Sequence, residues 1–312
     1  MEQRKVSVVV PVFNEGSSLG VLHSEILDVF KKTRVPFEII YVDDGSFDNT
    51  WEILSKLPQA SAISLQKNFG QTVALAAGIE RASGDIIVTL DGDLENDPND
   101  IPDLLDKLNS GYDIVSGWRV ARWRGQFLTR KLPSILANAA ISYVTGAKLH
   151  DHGCTLKAYK KEAIKNLQLS GDAHRMLAAY AYLFNKARIA ELAVNHRARK
   201  FGKSHYGPMR SFKVLMDLLS LSFFHRYSNR PMYFFGGVGF VSLFLALIFF
   251  LDMLYRKYFL GVSFIQTPLP VLVALGVMIG AQFILMGLLA EFFQWKLSRP
   301  LYYQIKQEVI NK

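Results

Sequence analysis

Apolar and polar positions along this chain of 312 residues follow two rhythms, and the change between them divides the molecule. In the first 118 residues, short apolar blocks bounded by turn formers alternate with stretches whose apolar residues recur every three or four positions. The blocks Val6–Val12, Phe37–Val42, Ala62–Leu65, Asp85–Leu90 and Asp113–Ser116 predict strands. The stretches Leu19–Phe30, Thr50–Leu57, Thr72–Ala82 and Ile101–Asn109 predict helices, so the expected fold class is α/β. Pro133 to Ala147 reads as a weakly amphipathic helix, and Ser211–Phe224 as an interfacial one.

The second rhythm is the near absence of polarity. Residues 231–251 are 21 positions without a charge and residues 258–290 are 33, each longer than the roughly 20 needed to cross a hydrocarbon core. Arg226 and Arg230 precede the first run, while Lys296 and Arg299 follow the second. Positive flanks favour the cytoplasmic side, which predicts both ends inside, although Arg256 and Lys257 in the connection weaken the asymmetry. Tyr233, Tyr255, Tyr258 and Trp295 stand where interfacial aromatics sit, and Pro268-Leu269-Pro270 opens the second span. The charged start, Met1 to Lys5, runs directly into a strand and lacks the shape of a signal peptide. The expected organisation is a cytosolic α/β domain over 1–205 and an amphipathic interfacial region over 206–230. Two membrane helices follow within 231–293, at about 232–254 and 268–292, and a cytoplasmic tail over 294–312. This describes a two-pass integral protein of the inner or plasma membrane.

Composition adds three constraints. Half of the residues are hydrophobic, enough for a sizeable core. The single cysteine, Cys154, excludes an intrachain disulfide, and no Cys and His stand at zinc spacing. Residues 1–118 carry 9 basic and 19 acidic side chains, whereas residues 119–213 carry 19 and 4. That basic middle suits a polyanion such as a phosphorylated substrate or an anionic lipid headgroup. No nucleic-acid module is visible, which sets nucleic acid aside.

The candidate chemistry begins where strands end. Asp91-Gly92-Asp93-Leu94-Glu95 follows an apolar strand, and two or three such oxygens suit a hard divalent cation, Mg2+ or Mn2+, that also grips a diphosphate. A lone acidic pair is commonly a solvated turn. Here a second one, Asp43-Asp44-Gly45-Ser46, ends another strand of the same half, and ligands of open parallel sheets bind beyond the carboxyl ends.

Pro11-Val12-Phe13-Asn14-Glu15, Asp43-Asp44-Gly45-Ser46, Asn68-Phe69-Gly70 and Asp91-Gly92-Asp93-Leu94-Glu95 resemble the ordered motifs of family 2 glycosyltransferases with the GT-A fold. His150-Asp151-His152-Gly153-Cys154 and Arg199-Lys200-Phe201-Gly202-Lys203-Ser204 extend the resemblance to polyprenyl-phosphate glycosyltransferases. These include dolichol-phosphate mannose synthases and bactoprenol glucosyltransferases.

The resemblance implies that Pro11, Phe13, Glu15, Asp43, Asp44, Asn68 and Gly70 bind the nucleotide sugar, together with Asp91 and Gly92. It implies that Asp91, Asp93 and Glu95 hold the cation, Glu95 standing where related enzymes often place Gln. Arg119, Arg130, Ser134, Arg199 and Lys203 would meet the lipid phosphate, with His205 replacing a common lysine. Asp93 and Asp151 would be catalytic, Asp151 either as a base or as an orienting group. His150 and His152 read as surface or turn positions, and Cys154 as a small buried residue.

The implied reaction is inverting transfer of one sugar to polyprenyl phosphate. UDP-glucose and undecaprenyl phosphate are favoured, with GDP-mannose onto dolichol phosphate or a UDP-aminosugar as alternatives. A processive polysaccharide synthase would carry a Q-x-x-R-W segment, which Phe293-Gln294-Trp295 does not supply. A homo-oligomer is left open.

Overall fold

The structure is a computed structural model that describes residues 4–120, 132–165, 167, 173–197, 223, 227, 230–296 and 304–311. Arg130, Arg199, Lys203, His205 and the expected helix Ser211–Phe224, Phe223 excepted, lie outside the described residues. The chain forms two compact units, one of residues 1–218 with 301–312 and the other of residues 219–300.

The first unit is built on an eight-stranded sheet. Strands β1 (Val6–Val12), β2 (Phe37–Asp43), β3 (Ser61–Leu65), β4 (Ile86–Thr89) and β5 (Ile114–Trp118) alternate with helices α1 (Gly16–Thr33), α2 (Thr50–Leu54), α3 (Gln71–Arg81) and α4 (Ile101–Asn109). Helices α5 (Leu132–Thr145), α6 (Lys161–Ile164) and α7 (Ala173–Asn185) and strands β6 (Lys157–Lys160), β7 (Ile189–Ala193) and β8 (Ile305–Ile310) complete it. The strand order is β7-β5-β6-β4-β1-β2-β3-β8.

The central strands read as continuous apolar runs because both faces are covered, as parallel sheets require. Their side chains divide by the two-residue period. Val8, Val10, Ile39, Tyr41 and Val88 join a core with Leu19, Leu22, Ile26 and Leu104, residues of α1 and α4. Val9, Ile40, Val42 and Ile87 join a second core with Ala74, Ala77, Leu177 and Ala181, residues of α3 and α7. Each fully buried Val or Ile contributes roughly 1.5–3 kcal/mol, so a register slip that exposed one face would be costly.

Strands β1 to β4 run parallel, and their carboxyl ends form one rim. Strand β6 enters between β4 and β5 antiparallel to both. Its amino end therefore lies at that rim, and the preceding loop, residues 150–156, is delivered there too. No periodic pattern along the chain announces β6, a four-residue strand that begins with Lys157.

A second departure concerns the expected tail. Ile305–Ile310 pairs antiparallel with β3 and closes one edge of the sheet. Asn311 Nδ2 donates to Ser55 O and Leu57 O, and Arg81 pairs with Glu308 at 3.1 Å. The strand is mostly exposed, so main-chain pairing and these contacts rather than burial hold it. That is why no hydrophobic block announced it.

The second unit contains α8 (Pro231–Phe259) and α9 (Leu269–Lys296). Pro231–Phe259 and Leu269–Phe293 are long and apolar enough to cross a membrane, with mean hydropathy 2.5 and 2.3 in their most apolar windows. The two helices pack along a seam where Ser242 Oγ donates to Gly276 O at 2.8 Å. At Gly239 a Cβ would stand 2.8 Å from Gly280 O, so the close approach needs glycine there.

Candidate active site

The rim carries two groups of side chains. On one side, the ends of β1 and β2 are joined to the loops that face them. Asp44 Oδ1 accepts from Phe69 N at 2.8 Å and Oδ2 from Gly70 N at 2.9 Å, which links two of the sequence motifs. Burial pushes its pKa up to about 6, and the neighbouring Asp43 adds to this against the two amides. Asp43 faces inward, accepting from Ser46 N at 2.9 Å and from Ser64 Oγ at 3.0 Å, so it braces the turn. Gly45 has φ 72° and a Cβ there would lie 2.5 Å from the carbonyl carbon of Lys67, so no other residue fits the turn.

Pro11 is buried in β1, while Phe13 and Glu15 are partly exposed at its end. Ser18 Oγ lies 2.8 Å from Glu15 O and 2.7 Å from Gly92 O, bridging the first motif to the acidic one. Asn68 is exposed on the loop that reaches Gly70. A residue that sequence reasoning missed stands here: Phe47 is 86% exposed and meets the Phe13 ring edge to face, at 6.0 Å between centroids. A lone aromatic in a turn carries no periodic signal, so only the fold pairs it with Phe13.

The acidic segment follows β4. Asp91 Oδ1 accepts from Gln71 Nε2 at 2.7 Å, and Asp93 Oδ1 accepts from Glu95 N at 3.0 Å. Leu94 has φ 63°, so the chain reverses between Asp93 and Glu95. Among the described residues, no three His, Cys, Asp or Glu side chains form a ready metal-binding group, and Asp91, Asp93 and Glu95 are therefore not assembled as a trio. Burial and the Asp93 charge push the Asp91 pKa up, which marks a site short of positive charge. Hard oxygen donors with that deficit fit a divalent cation whose remaining ligands come with a bound diphosphate.

The other group gathers residues far apart in sequence. Arg119, at the end of β5, is 6% exposed and forms a two-pronged pair with Asp151: Nε to Oδ2 at 2.8 Å and Nη2 to Oδ1 at 3.1 Å. Burial works against the guanidinium charge, but Asp151 outweighs it and holds Arg119 firmly protonated. Arg119 also lies close enough to Asp91 to oppose the rise in that carboxyl's pKa. The two carboxylate groups therefore belong to one site.

Beneath them, Lys157 is fully buried, donates to His152 O at 2.9 Å, and has its pKa lowered by burial to about 8. Of the two readings for His152, surface or turn, the turn holds: it lies in a turn but is 0% exposed, because the inserted β6 carries the preceding loop under the rim, and burial lowers its pKa to about 3. Cys154 is 1% exposed and its thiol is pushed up to about 11, the behaviour of a packed residue. His150 is exposed, as expected of a surface position, and stacks on Trp118 at 4.5 Å. Ser134 is half-buried near the start of α5.

Comparison with known proteins agrees with this geometry. Residues 7–168 match the model of glycosyl transferase family 2. Dodecaprenyl-phosphate galacturonate synthase of Rhizobium johnstonii is 41% identical over 93% of this chain and 88% of its own length. Undecaprenyl-phosphate 4-deoxy-4-formamido-L-arabinose transferase of Photorhabdus laumondii is 34% identical over 99% and 96%. Among solved structures, glucosyl-3-phosphoglycerate synthase from Mycobacterium tuberculosis, in complex with Mn2+, UDP and glucosyl-3-phosphoglycerate, has a TM-score of 0.56 at 24% identity. It covers 70% of this chain and 79% of that one, and the shared fold is the GT-A-like mixed sheet. The chain belongs to glycosyl transferase family 2, as a glycosyltransferase whose full-length relatives are polyprenyl-phosphate sugar transferases.

Proposed function

We propose that the chain transfers a single sugar, with inversion, from a uridine diphosphate sugar to polyprenyl phosphate at the cytoplasmic face of a membrane. The observation that carries this is the single rim where the electron-rich pair Asp91 and Asp93 meets the buried Arg119–Asp151 pair. A phosphate oxygen of the acceptor attacks the anomeric carbon, the bond to the donor diphosphate breaks, and the nucleoside diphosphate leaves with the electron pair. A phosphate monoester has a second pKa near 6, so the nucleophile is already largely dianionic and needs no strong base.

Charge is then the obstacle. Two unit charges at 4 Å repel by roughly 4 kcal/mol at an effective dielectric near 20. Arg119 sits where it can offset this, while Asp91 and Asp93 would hold a divalent cation that neutralises the leaving diphosphate. Asp151, its carboxylate occupied by Arg119, suits an orienting role better than that of a base.

Phe13, Phe47 and Asp44 would border the nucleoside. For the sugar, the relative at 41% identity names galacturonate and those at 33–35% name 4-deoxy-4-formamido-L-arabinose. We therefore place a uronic or 4-amino-modified sugar ahead of glucose. Both candidate spans cross the same inner or plasma membrane, with the catalytic unit and β8 in the cytoplasm.

The test is a panel: purified protein, a divalent cation, short-chain polyprenyl phosphates and radiolabelled UDP-galacturonate, UDP-4-deoxy-4-formamido-L-arabinose, UDP-glucose and GDP-mannose. Lipid-linked label is expected from a UDP sugar. Label in no lipid product from any donor overturns the reading.

A further inference from the structure

The loop that bears Asp151 is gripped through its main chain by side chains from three other elements. From α5, Ser142 Oγ reaches Leu149 O at 3.3 Å and Asn138 Nδ2 donates to His150 O at 2.7 Å. From β6, Lys157 donates to His152 O. From β7, Glu191 Oε1 accepts from His150 N at 2.8 Å and Asp151 N at 3.1 Å, while Oε2 lies 2.7 Å from His150 Nδ1. Water would satisfy the same groups of an ordinary rim loop, so this set of anchors does more than complete hydrogen bonds.

Glu191 is the centre of the arrangement. Its side chain is 12% exposed, and its three donors lie on two consecutive residues. A carboxylate left open here would repel an incoming phosphate, but these donors turn its charge inward. Its hold on Asp151 N fixes the residue whose carboxylate meets Arg119.

The same carboxylate also fixes a ring. Trp118 lies flat against His150, with 18° between the planes, and Glu191 Oε2 accepts from Nδ1. The ring plane is therefore set from both sides. Nε2 has no partner among the described residues, and the side chain is 69% exposed beside Asp151.

We infer that Glu191 is a positioning residue for the acceptor side of the site, keeping Asp151 in register with Arg119. This rests on the polyprenyl-phosphate reading above. Nothing in the sequence joins Glu191 to this loop, from which it is separated by 40 positions at Asp151.

Steady-state kinetics of the full-length protein, with donor and acceptor varied separately, test it. Glu191→Ala is expected to lower kcat/KM for polyprenyl phosphate on the order of 100-fold, because small displacements of a positioning group have effects of that size, and to leave donor KM unchanged. Glu191→Gln keeps an accepting oxygen for both main-chain amides and should restore most of kcat.

Unchanged acceptor kinetics in Glu191→Ala overturn the inference, as does a donor KM that rises in equal proportion. If Glu191→Ala fails to fold, Glu191→Asp decides: the shorter side chain draws the carboxylate away from the loop amides, and unchanged acceptor kinetics in it overturn the inference. Wild-type turnover on polyprenyl phosphate in the same assay establishes the underlying reading, so its failure is seen separately.

Discussion

The two sides of the rim handle negative charge in opposite ways. On the side proposed for the donor, Asp91 is raised in pKa by burial and by Asp93, with Gln71 as a neutral partner. On the side proposed for the acceptor, Asp151 is matched to a buried guanidinium by two hydrogen bonds. Under the proposed function the first group would take a cation that arrives with its ligand, whereas the second carries its cation as part of the fold. The donor side therefore depends on what binds, whereas the acceptor side depends on what is packed behind it.

Removing the unbalanced carboxylates gives the largest expected effect. Asp91→Ala or Asp93→Ala should lower transfer by about a thousand-fold, the scale of losing a principal stabiliser of leaving-group charge, with expression unchanged. Full sugar-lipid synthesis in membranes carrying either variant would end the metal assignment.

Breaking the balanced pair should act on stability as well. Arg119→Ala strands the Asp151 carboxylate, and losing one partner of a buried pair costs about 3–5 kcal/mol. Adding Asp151→Ala should recover part of that loss in thermal unfolding, while activity on the lipid acceptor stays low. Independent, additive losses would show that the pair is not the unit described.

The comparison also has a pH signature. The Asp44 pKa of about 6 means that its carboxylate, the form that accepts from Phe69 and Gly70, dominates at neutral pH and is lost as pH falls through 6. Donor KM should rise several-fold between about pH 7 and 5, and Asp44→Asn should flatten that dependence around a weaker affinity. The sign for stability is opposite. Native Asp44 holds its proton more tightly than the unfolded chain, with its ordinary pKa of about 3.9, so its contribution falls as pH rises from about 4 to 6.

The smallest effect belongs to neither side. Asn311→Ala removes two hydrogen bonds that anchor the end of β8, and should cost about 1–2 kcal/mol with little change in either KM. A large loss of activity would tie that edge of the sheet to catalysis.

The α/β alternation, the acidic ends of β2 and β4, and the two long apolar runs were all legible along the chain, because each is a local pattern. Ile101–Asn109 matches the observed helix at both ends, and Val6–Val12 the observed strand. The partners of Asp151 were not legible in this way. Arg119, Glu191 and Lys157 come from three strands, and only the antiparallel entry of β6 brings their ends to one rim. Local periodicity reports which face of an element is apolar, so it determined the layers and the membrane-spanning candidates. Which charge neutralises which is set by strand order and direction, so β6, β7, the returning β8 and the buried acceptor-side network were decided by the tertiary structure alone.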